Sequence, residues 1–300
     1  MFRIKGDWIV DTKISPNFIG IGAQKCATTW LYDLLDLHPA VGLSPLKEIH
    51  FFSQYFGYGL QWYQSHFSEV DPQLSVIGEF STSYFCDFET PHRIKQCYPD
   101  AKLVLMLRDP IKRLQSNHKH EIRVGHLTGP DFSIEAGLKN NPTYVQQGLY
   151  ATHLKRWLEY FSRDQIHIVL YDQLKNDPAA VERELYEFLQ LDSLSNHQQL
   201  AKSNPSYVYR SQGTEQARRA VLKLARGLKL EKAYRGVVSK SGLQSAYRKM
   251  NRTSPQQLIP EIKEDTLQSL AELFLPEIIE LEKMLDINLS AWKKSKEQVQ

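Results

Sequence analysis

Residues Phe18 to Thr29 combine the features of an anion-binding turn. An apolar run ends in Gly-Ile-Gly, and Lys25 and the paired hydroxyls of Thr28 and Thr29 follow at short spacing. The pattern predicts a strand, then a tight turn, then a helix that begins near Thr28. Such a turn offers backbone N–H groups to an anion, and a helix N-terminus carries about half a positive charge. The stretch therefore predicts a site for a phosphorylated or sulfated nucleotide.

The spacing of this turn differs from that of the common ATP-binding loop, Gly-x-x-x-x-Gly-Lys-Ser/Thr. Gln24 precedes the lysine where that loop has glycine, and Cys26 follows it where that loop has the hydroxyl that coordinates Mg²⁺. We therefore expect a phosphate-like group to bind without a metal. An ordinary strand–turn–helix joint with a surface lysine is the alternative. The candidate binding residues of the turn are Gly22, Ala23, Gln24, Lys25, Cys26, Ala27, Thr28 and Thr29.

A second candidate anion site follows another apolar run. Arg108 comes directly after residues 103–107, and Ser116 lies eight residues later, two turns into a predicted helix. The guanidinium presents a fork of charged donors, so an arginine at a strand end and a hydroxyl on the helix can hold one phosphate together. The same spacing is equally compatible with Arg108 paired to a nearby carboxylate and an incidental Ser116.

The hexapeptide Lys47–Phe52, Lys-Glu-Ile-His-Phe-Phe, places a carboxylate and an imidazole two residues apart beside two aromatic rings. Such surroundings suit a partly desolvated proton acceptor, which makes Glu48 and His50 candidates for general base catalysis. A surface pair of Lys47 with Glu48 beside a structural histidine is the alternative.

The elements that position these residues follow from apolar runs that alternate with helical patterns, which is typical of a parallel sheet covered on both faces. The sequence predicts an α/β fold, a P-loop-like three-layer arrangement with a central parallel sheet flanked by helices and a helical C-terminal part. Ligands of such sheets bind beyond the carboxyl ends of the strands. The predicted strands are Asn17–Gly22, Leu74–Phe80, Ala101–Leu107 and Ile166–Tyr171, and the predicted helices include Thr28–Leu37, Thr90–Cys97, Pro110–Val124, Val145–Phe161 and Ala179–Leu189.

Two other stretches have distinct patterns. Val124–Asn141 is polar and contains glycine, which predicts a long loop. Ile262–Leu285 predicts a long helix that is broken or kinked near Pro276. The length suits a single domain over residues 1–300, with residues 1–16 as an N-terminal extension.

Charge is unevenly distributed, although the net value is only +3. Residues 210–252 hold 12 Lys and Arg against 2 Asp and Glu. This segment is either a basic flap that attracts polyanionic acceptors or an anionic membrane surface, or an amphipathic helix that packs on the sheet. We expect no nucleic-acid partner.

Three cysteines give no disulfide framework, and no apolar stretch reaches the 18 or more residues that span a bilayer. Met1 to Asp11 also lacks the apolar core of a signal peptide. These features predict a cytoplasmic protein.

Taken together, these motifs resemble the sulfotransferases that use 3′-phosphoadenosine 5′-phosphosulfate (PAPS). In that family a Lys-x-x-Thr-Thr loop binds the 5′-phosphosulfate, and an arginine with a serine eight residues on binds the 3′-phosphate. The hexapeptide looks most like the heparan sulfate N- and 3-O-sulfotransferase branch and its bacterial relatives. Further matches are Gly59–Tyr63, Gly78-Glu79 to Tyr84-Phe85, Gly148–Trp157, and Phe274–Leu281 with Trp292.

The resemblance implies roles for the candidate residues. Lys25 would stabilise the charge that grows on the leaving group, and Gly22, Thr28 and Thr29 would hold the 5′-phosphate. Arg108 and Ser116 would hold the 3′-phosphate. The acceptor's proton would pass to Glu48, or else to His120 or His50, in that order. The implied reaction is direct in-line transfer to a hydroxyl or amine of a carbohydrate or small molecule, with 3′-phosphoadenosine 5′-phosphate (PAP) released and no metal.

Two positions limit the resemblance. Phe80 stands where the branch has a lysine, which leads us to expect a less charged, more apolar acceptor. The loop over the adenine has no clear counterpart, and Arg210 is the best candidate for it. Two other functions stay open at this stage: a P-loop kinase-like phosphotransferase, which would need Mg²⁺ and ATP, and a non-catalytic protein that binds a nucleotide or polyanion.

Overall fold

The computed structural model describes residues 14–127, 131–194, 208–209, 252–254 and 258–293. The chain divides into two compact units. The first comprises Met1–Asp109, Leu149–Ser203 and Glu277–Leu289, and the second comprises Pro110–Gly148, Asn204–Pro276 and Ser290–Gln300. The predicted single domain stays a prediction, as do the N-terminal extension and the basic flap at 210–252, which lie mostly outside the described residues.

A parallel sheet of five strands forms the centre of the first unit, in the order β2-β3-β1-β4-β5. Every residue of the first three strands is buried. This burial explains why the strands read as continuous apolar runs rather than as alternating patterns. The strands are β1 Phe18–Gly22, β2 Val41–Leu43, β3 Val76–Phe80, β4 Lys102–Leu107 and β5 Ile166–Leu170.

The strand order creates a crevice at the carboxyl end of β1. From β1 the chain runs towards the edge strand β2, whereas from β4, on the other side of β1, it runs towards β5. Loops that leave neighbouring strands in opposite directions open a ligand crevice between them. The register supports this placement, because Gly20 pairs with Val104 and Gly22 with Leu105. The turn after β1 and Arg108 after β4 therefore begin at one edge of the sheet, as the sequence predicts.

Helices occupy both units. The first unit contains α1 to α3 and α7 to α9, whereas α4 to α6 belong to the second unit. On α1 the buried residues Leu31, Leu34 and Leu35 lie on one face, at helical spacing. The helices are α1 Thr28–Asp36, α2 Leu60–Ser65, α3 Thr90–Cys97, α4 Pro110–Val124, α5 Ile134–Asn140, α6 Thr143–Gln146, α7 Tyr150–Leu158, α8 Tyr171–Asn176, α9 Pro178–Leu189, α10 Glu264–Leu285 and α11 Ser290–Lys293.

Shorter elements complete the described structure. A π-helical turn covers Phe51–Tyr55, and 3-10 turns cover Phe56–Tyr58 and Arg163–Gln165. In the second unit Val208–Tyr209 and Arg252–Thr253 form a short antiparallel pair, β6 and β7. No helix in the described ranges has both the length and the apolar character needed to cross a membrane.

The predicted α/β fold and its four strands are confirmed, each strand to within two residues. The predicted loop Val124–Asn141 is wrong in its second half, where α5 begins after Ser133, whose hydroxyl accepts a hydrogen bond from the amide of Ala136 (3.2 Å). The predicted helix Val145–Phe161 is divided into α6 and α7. Helix α10 matches the predicted C-terminal helix, but it continues through Pro276, so the predicted break there is wrong.

Phe80, at the end of β3, belongs to the core. Its side chain is fully buried, and its ring meets the rings of Phe18 and Tyr32 edge-on at centroid distances of 5.8 and 6.2 Å. The ring also fills the space over Gly20, where an added Cβ would come within 1.9 Å of it. Phe80 therefore does not face the acceptor, contrary to the expectation from the sequence. The prediction of a more apolar acceptor, which depended on it, is no longer supported.

We expect Gly20→Ala to destabilise the protein by about 1–3 kcal/mol, because the new Cβ overlaps the buried Phe80 ring. Denaturant unfolding of the variant beside Gly57→Ala measures the effect, since a Cβ at Gly57 meets nothing within 4 Å. The double variant Gly20→Ala/Phe80→Leu should recover part of the loss. Equal unfolding midpoints for the Gly20 and Gly57 variants would contradict this account of the packing.

Candidate active site

The loop between β1 and α1 is fixed by two backbone hydrogen bonds. The amide of Ala23 donates to the carbonyl of Met106 on β4 (2.8 Å), and the amide of Cys26 donates to the carbonyl of Ala23 (3.2 Å). Lys25 and Ala27 adopt left-handed backbone, with φ of 68° and 74°. Ala27 is the N-cap of α1 and has no side-chain oxygen to bond the first amides of the helix. Those amides can therefore bind an anion.

Gly22 permits the close approach that shapes this loop. Its φ is 144°, and an added Cβ would lie 3.0 Å from Cβ of Phe85 and 3.3 Å from the carbonyl oxygen of Thr82. Cys26 is buried beneath the loop, with Sγ 3.8 Å from the Tyr150 hydroxyl. At the position that carries the metal-binding hydroxyl in ATP loops, this chain thus has a packing residue.

The remaining loop residues differ in exposure. Gln24, Lys25 and Ala27 are half-buried, Thr28 is buried and Thr29 is exposed. The loop therefore places one lysine and the uncapped first turn of α1 at the carboxyl edge of the sheet, where a phosphate-sized anion can bind.

Lys47 reaches this loop. Its ammonium Nζ donates a hydrogen bond to Oγ1 of Thr29 (2.8 Å) and lies 5.9 Å from the centre of the Tyr32 ring. Burial lowers the pKa of Lys47, while the nearby charges of Glu48 and Asp33 raise it. Local spacing in the sequence gives no sign of this contact, because its two residues lie 18 positions apart.

Glu48 is held firmly beside the loop. Its Oε2 accepts hydrogen bonds from the amide (3.0 Å) and the hydroxyl (2.8 Å) of Thr82, and Nε2 of His50 lies 3.5 Å from the same oxygen. The carbonyl oxygen of Thr82 also lies near Gly22, where it would be 3.3 Å from an added Cβ. Thr82 therefore brings the carboxylate and the anion-binding loop together. Within the described part of the chain these contacts all fall on Oε2, so Oε1 can face a substrate.

His50, the other candidate base of the hexapeptide, lies beside Glu48 and contacts a pair of serines. Its Nδ1 lies 2.7 Å from the hydroxyl of Ser83, which in turn contacts the hydroxyl of Ser53 at 2.7 Å. Burial lowers the pKa of His50, although the charge of Glu48 opposes this shift. A neutral imidazole in this setting donates from Nε2 towards Glu48 and accepts from Ser83 at Nδ1. Which of the two groups accepts the acceptor's proton stays a prediction.

A buried carboxylate, Glu79, supports this segment from below. Its two oxygens accept hydrogen bonds of 2.6 Å from the hydroxyls of Ser81 and Tyr84. The Ser81 hydroxyl accepts from the amide of His50 (2.9 Å), and the Tyr84 hydroxyl accepts from the amide of Phe52 (3.4 Å). Glu79 therefore fixes residues 50–52 through two hydroxyl bridges. In the sequence it was visible only as part of a family match.

Arg108 carries an unsatisfied donor. Its guanidinium lies 4.6 Å from the centre of the Tyr171 ring, and its Nε is buried without a hydrogen-bond partner among the described residues. Within those residues Arg108 forms no ion pair with a carboxylate. This argues against the alternative interpretation, in which Arg108 only pairs with a nearby carboxylate. A buried donor of this kind costs free energy unless a ligand satisfies it.

Ser116 and His120 lie on α4, in the second unit, so their approach to Arg108 and Glu48 stays a prediction. Arg123 donates to Nδ1 of His120 (2.8 Å). The neutral tautomer that accepts this bond carries its proton on Nε2, so neither nitrogen is free to take another. This contact weakens His120 as a base. Arg210 lies outside the described residues.

The site can therefore bind an anion with loop amides and two lysines, and it can accept a proton at Glu48. Across the described ranges, no group of three or more His, Cys, Asp or Glu side chains could hold a metal ion.

Comparison with protein families gives a match to the sulfotransferase domain over residues 15–223. In Mus musculus, bifunctional heparan sulfate N-deacetylase/N-sulfotransferase 4 is 31% identical over 213 residues, which cover 63% of this chain and 24% of that protein. In Homo sapiens, heparan sulfate glucosamine 3-O-sulfotransferase 5 is 32% identical over 187 residues, which cover 59% of this chain and 54% of that protein. The chain thus spans about a quarter to a half of the length of these relatives.

Among solved structures, a sulfotransferase from Alicyclobacillus acidocaldarius is similar over 93% of this chain and 99% of its own, with a TM-score of 0.67 and 24% identity. At this identity the likeness shows the fold.

The pKa of the buried Glu79 makes the stability of the protein depend on pH. Burial raises its pKa from 4.5 to about 7, with the charge of Glu48 adding to the shift and the hydrogen bonds from Ser81 and Tyr84 opposing it. Between those pH values the folded protein binds more protons than the unfolded chain. Stability from this group is therefore fully present below the unfolded pKa and is lost as the pH rises through the folded one.

We expect the wild type to lose stability relative to Glu79→Gln between about pH 5 and 7, by about 3 kcal/mol at most. Urea unfolding across this range measures the difference, with the exposed Glu69→Gln as the matched control. Parallel pH profiles for the wild type and Glu79→Gln would show that Glu79 does not titrate in this way.

Proposed function

This chain belongs to the sulfotransferase domain family, and we propose that it transfers a sulfuryl group from PAPS to a hydroxyl or amine of a carbohydrate acceptor. The observation that carries the proposal is the position of Thr82, which holds the carboxylate of Glu48 and whose carbonyl oxygen would lie 3.3 Å from a Cβ added at Gly22 of the anion-binding loop. A proton acceptor and an anion cradle thereby share one edge of the sheet. Transfer to an acceptor that must lose a proton requires both.

The residues of the first unit fit this donor. When bound, PAPS supplies the activated sulfuryl group, whose bond to the 5′-phosphate breaks as the acceptor bonds to sulfur. The loop amides and the ammonium of Lys25 stabilise the negative charge that grows on the departing oxygen, more strongly in the transition state than before it. The Nε of Arg108, which has no hydrogen-bond partner in the described part of the chain, suits a second phosphate, and that phosphate distinguishes this donor from ATP.

Glu48 takes the proton of the acceptor. Its Oε2 is fixed by Thr82, so the carboxylate cannot rotate freely and Oε1 is directed by that anchor. The imidazole of His50 supports the charged carboxylate from the other side. Such positioning by neighbouring groups is what general base catalysis requires.

A carbohydrate acceptor is inferred from the relatives, whose names assign them heparan sulfate as substrate. One of them carries an N-sulfotransferase name and the other a 3-O-sulfotransferase name, so both an amine and a hydroxyl belong to the proposal. A small-molecule acceptor outside the carbohydrates is the second candidate from the sequence, and the buried position of Phe80 removes the residue that favoured it.

Binding of the donor's two phosphates gives the first test. We expect the wild type to bind PAP more tightly than AMP in isothermal titration. Arg108→Ala should lose roughly ten- to hundredfold in affinity for PAP and little for AMP, because it removes charged hydrogen bonds to the 3′-phosphate alone. The exposed Arg183→Ala serves as the matched control. Equal wild-type affinities for PAP and AMP would refute the assignment of Arg108.

Turnover gives the second test. With radiolabelled PAPS and desulfated heparan sulfate as the first acceptor, Glu48→Gln should lower turnover by about a hundredfold or more while PAP affinity stays constant, because the amide cannot take a proton. Glu89→Gln, at an exposed position, is the control. A fully active Glu48→Gln would move the base elsewhere, and phosphate transfer from ATP with Mg²⁺ would favour the kinase-like alternative.

A further inference from the structure

We propose that Lys47 is a second cationic residue of the donor site and that its ammonium binds the 5′ end of the donor beside Thr29. This inference rests on the proposed function and adds to it a residue that determines recognition of the 5′ group. It assigns a role to a side chain that the sequence presents as one half of a surface ion pair.

The first observation is where the side chain goes. Although Glu48 is the next residue, the hydrogen bond of Lys47 runs to Oγ1 of Thr29, 2.8 Å away, and the described residues give it no ion pair. Thr29 is the second residue of α1, in the turn whose amides face the loop. The ammonium is thus brought to the N-terminal end of a helix that contains nine residues.

The second observation is the electrostatic cost of that position. A helix N-terminus is positive and disfavours a cation, and the first turn of α1 contains no acidic residue to offset this. The same loop already carries Lys25. The hydrogen-bond partner of Lys47 is a neutral hydroxyl, so the bond itself does not compensate its charge.

Burial adds to this cost. The Lys47 side chain is half-buried beside the Tyr32 ring, and its burial lowers the pKa of the ammonium. Asp33 and Glu48 oppose that shift from a distance. A half-buried ammonium thus lies beside the positive end of a helix, and a multiply charged anion at the start of α1 would stabilise it there.

The third observation is that the consecutive residues Lys47 and Glu48 bond to different parts of the crevice. Lys47 turns towards the loop, whereas Glu48 turns towards Thr82, on the strand β3 side of the same crevice. One short segment therefore delivers a cation to the donor and a base to the acceptor. The two side chains therefore bond different partners, although the charge of Glu48 still raises the pKa of Lys47.

The experiment compares nucleotides that carry one phosphate or both. We expect Lys47→Met to weaken binding of PAP by about tenfold or more in isothermal titration, and to leave binding of adenosine 3′-monophosphate unchanged, since that ligand lacks the 5′ group. Arg108→Ala should behave in the opposite way: it should weaken binding of adenosine 3′-monophosphate and leave binding of AMP nearly unchanged. Lys175→Met, at an exposed position on α8, is the matched control.

Two further variants separate charge from packing. Lys47→Arg keeps the charge and should retain most of the PAP affinity, whereas Lys47→Gln keeps a polar side chain without the charge and should weaken PAP as Lys47→Met does. Equal PAP affinity of Lys47→Met and wild type would overturn the inference and leave the proposed function intact. Equal losses for PAP and adenosine 3′-monophosphate would also overturn it, as a structural effect. A wild type that binds no PAP would instead refute the proposed function.

Discussion

The two hydrogen bonds from Thr82 to Oε2 of Glu48 fix where a carboxylate stands relative to the anion-binding loop. Thr82 can make them because β3 lies directly beside β1, so the chain that leaves β3 passes over the end of β1. The amide of Ser81 donates to the carbonyl of Gly20, and that of Phe85 donates to Ile21. The segment after β3 therefore continues the sheet's hydrogen bonding and serves as a rigid platform for the carboxylate.

Charge in this region is arranged in layers. Glu79 lies in the core and Glu48 at the crevice, and the negative charge of Glu48 contributes to the raised pKa of Glu79. A carboxyl that is partly protonated near neutral pH avoids two adjacent negative charges in a desolvated region. The hydroxyls of Ser81 and Tyr84 donate hydrogen bonds to Glu79 and accept hydrogen bonds from the backbone amides of His50 and Phe52. The segment that follows Glu48 is thereby held by a fully buried carboxyl group.

Local patterns in the sequence predicted the parts of the molecule whose physics is local. The strand before Gly22, the helix that begins at Thr28 and the strand before Arg108 each show in a short window of residues. The strand β2 has only three residues, Val41–Leu43, which is too short for any periodicity. Helix α5 was missed because its polar composition resembles a loop, although Ser133 supplied a capping signal.

The site's supporting contacts could not be predicted in that way. Lys47 meets Thr29 across 18 residues, and Glu79 supports His50 and Phe52 through side chains that lie about thirty residues away in sequence. Spacing within a motif carries no information about such pairs, because they depend on which strands become neighbours. For Phe80 the prediction failed in the other direction, because it placed a core residue in the site. A position read from a motif alone was assigned to the site, and packing against Gly20 places it in the core.

Four residues that border the crevice, none of them glycine, have left-handed backbone: Lys25, Ala27, Glu48 and His50. Each such conformation costs an L-residue about 1–2 kcal/mol, and glycine or asparagine would relieve much of it. Selection for thermal robustness alone would favour those replacements. Ala27 differs from the other three because its side chain has no charged or hydrogen-bonding group, so glycine or asparagine there would relieve the backbone cost without removing such a group from the crevice.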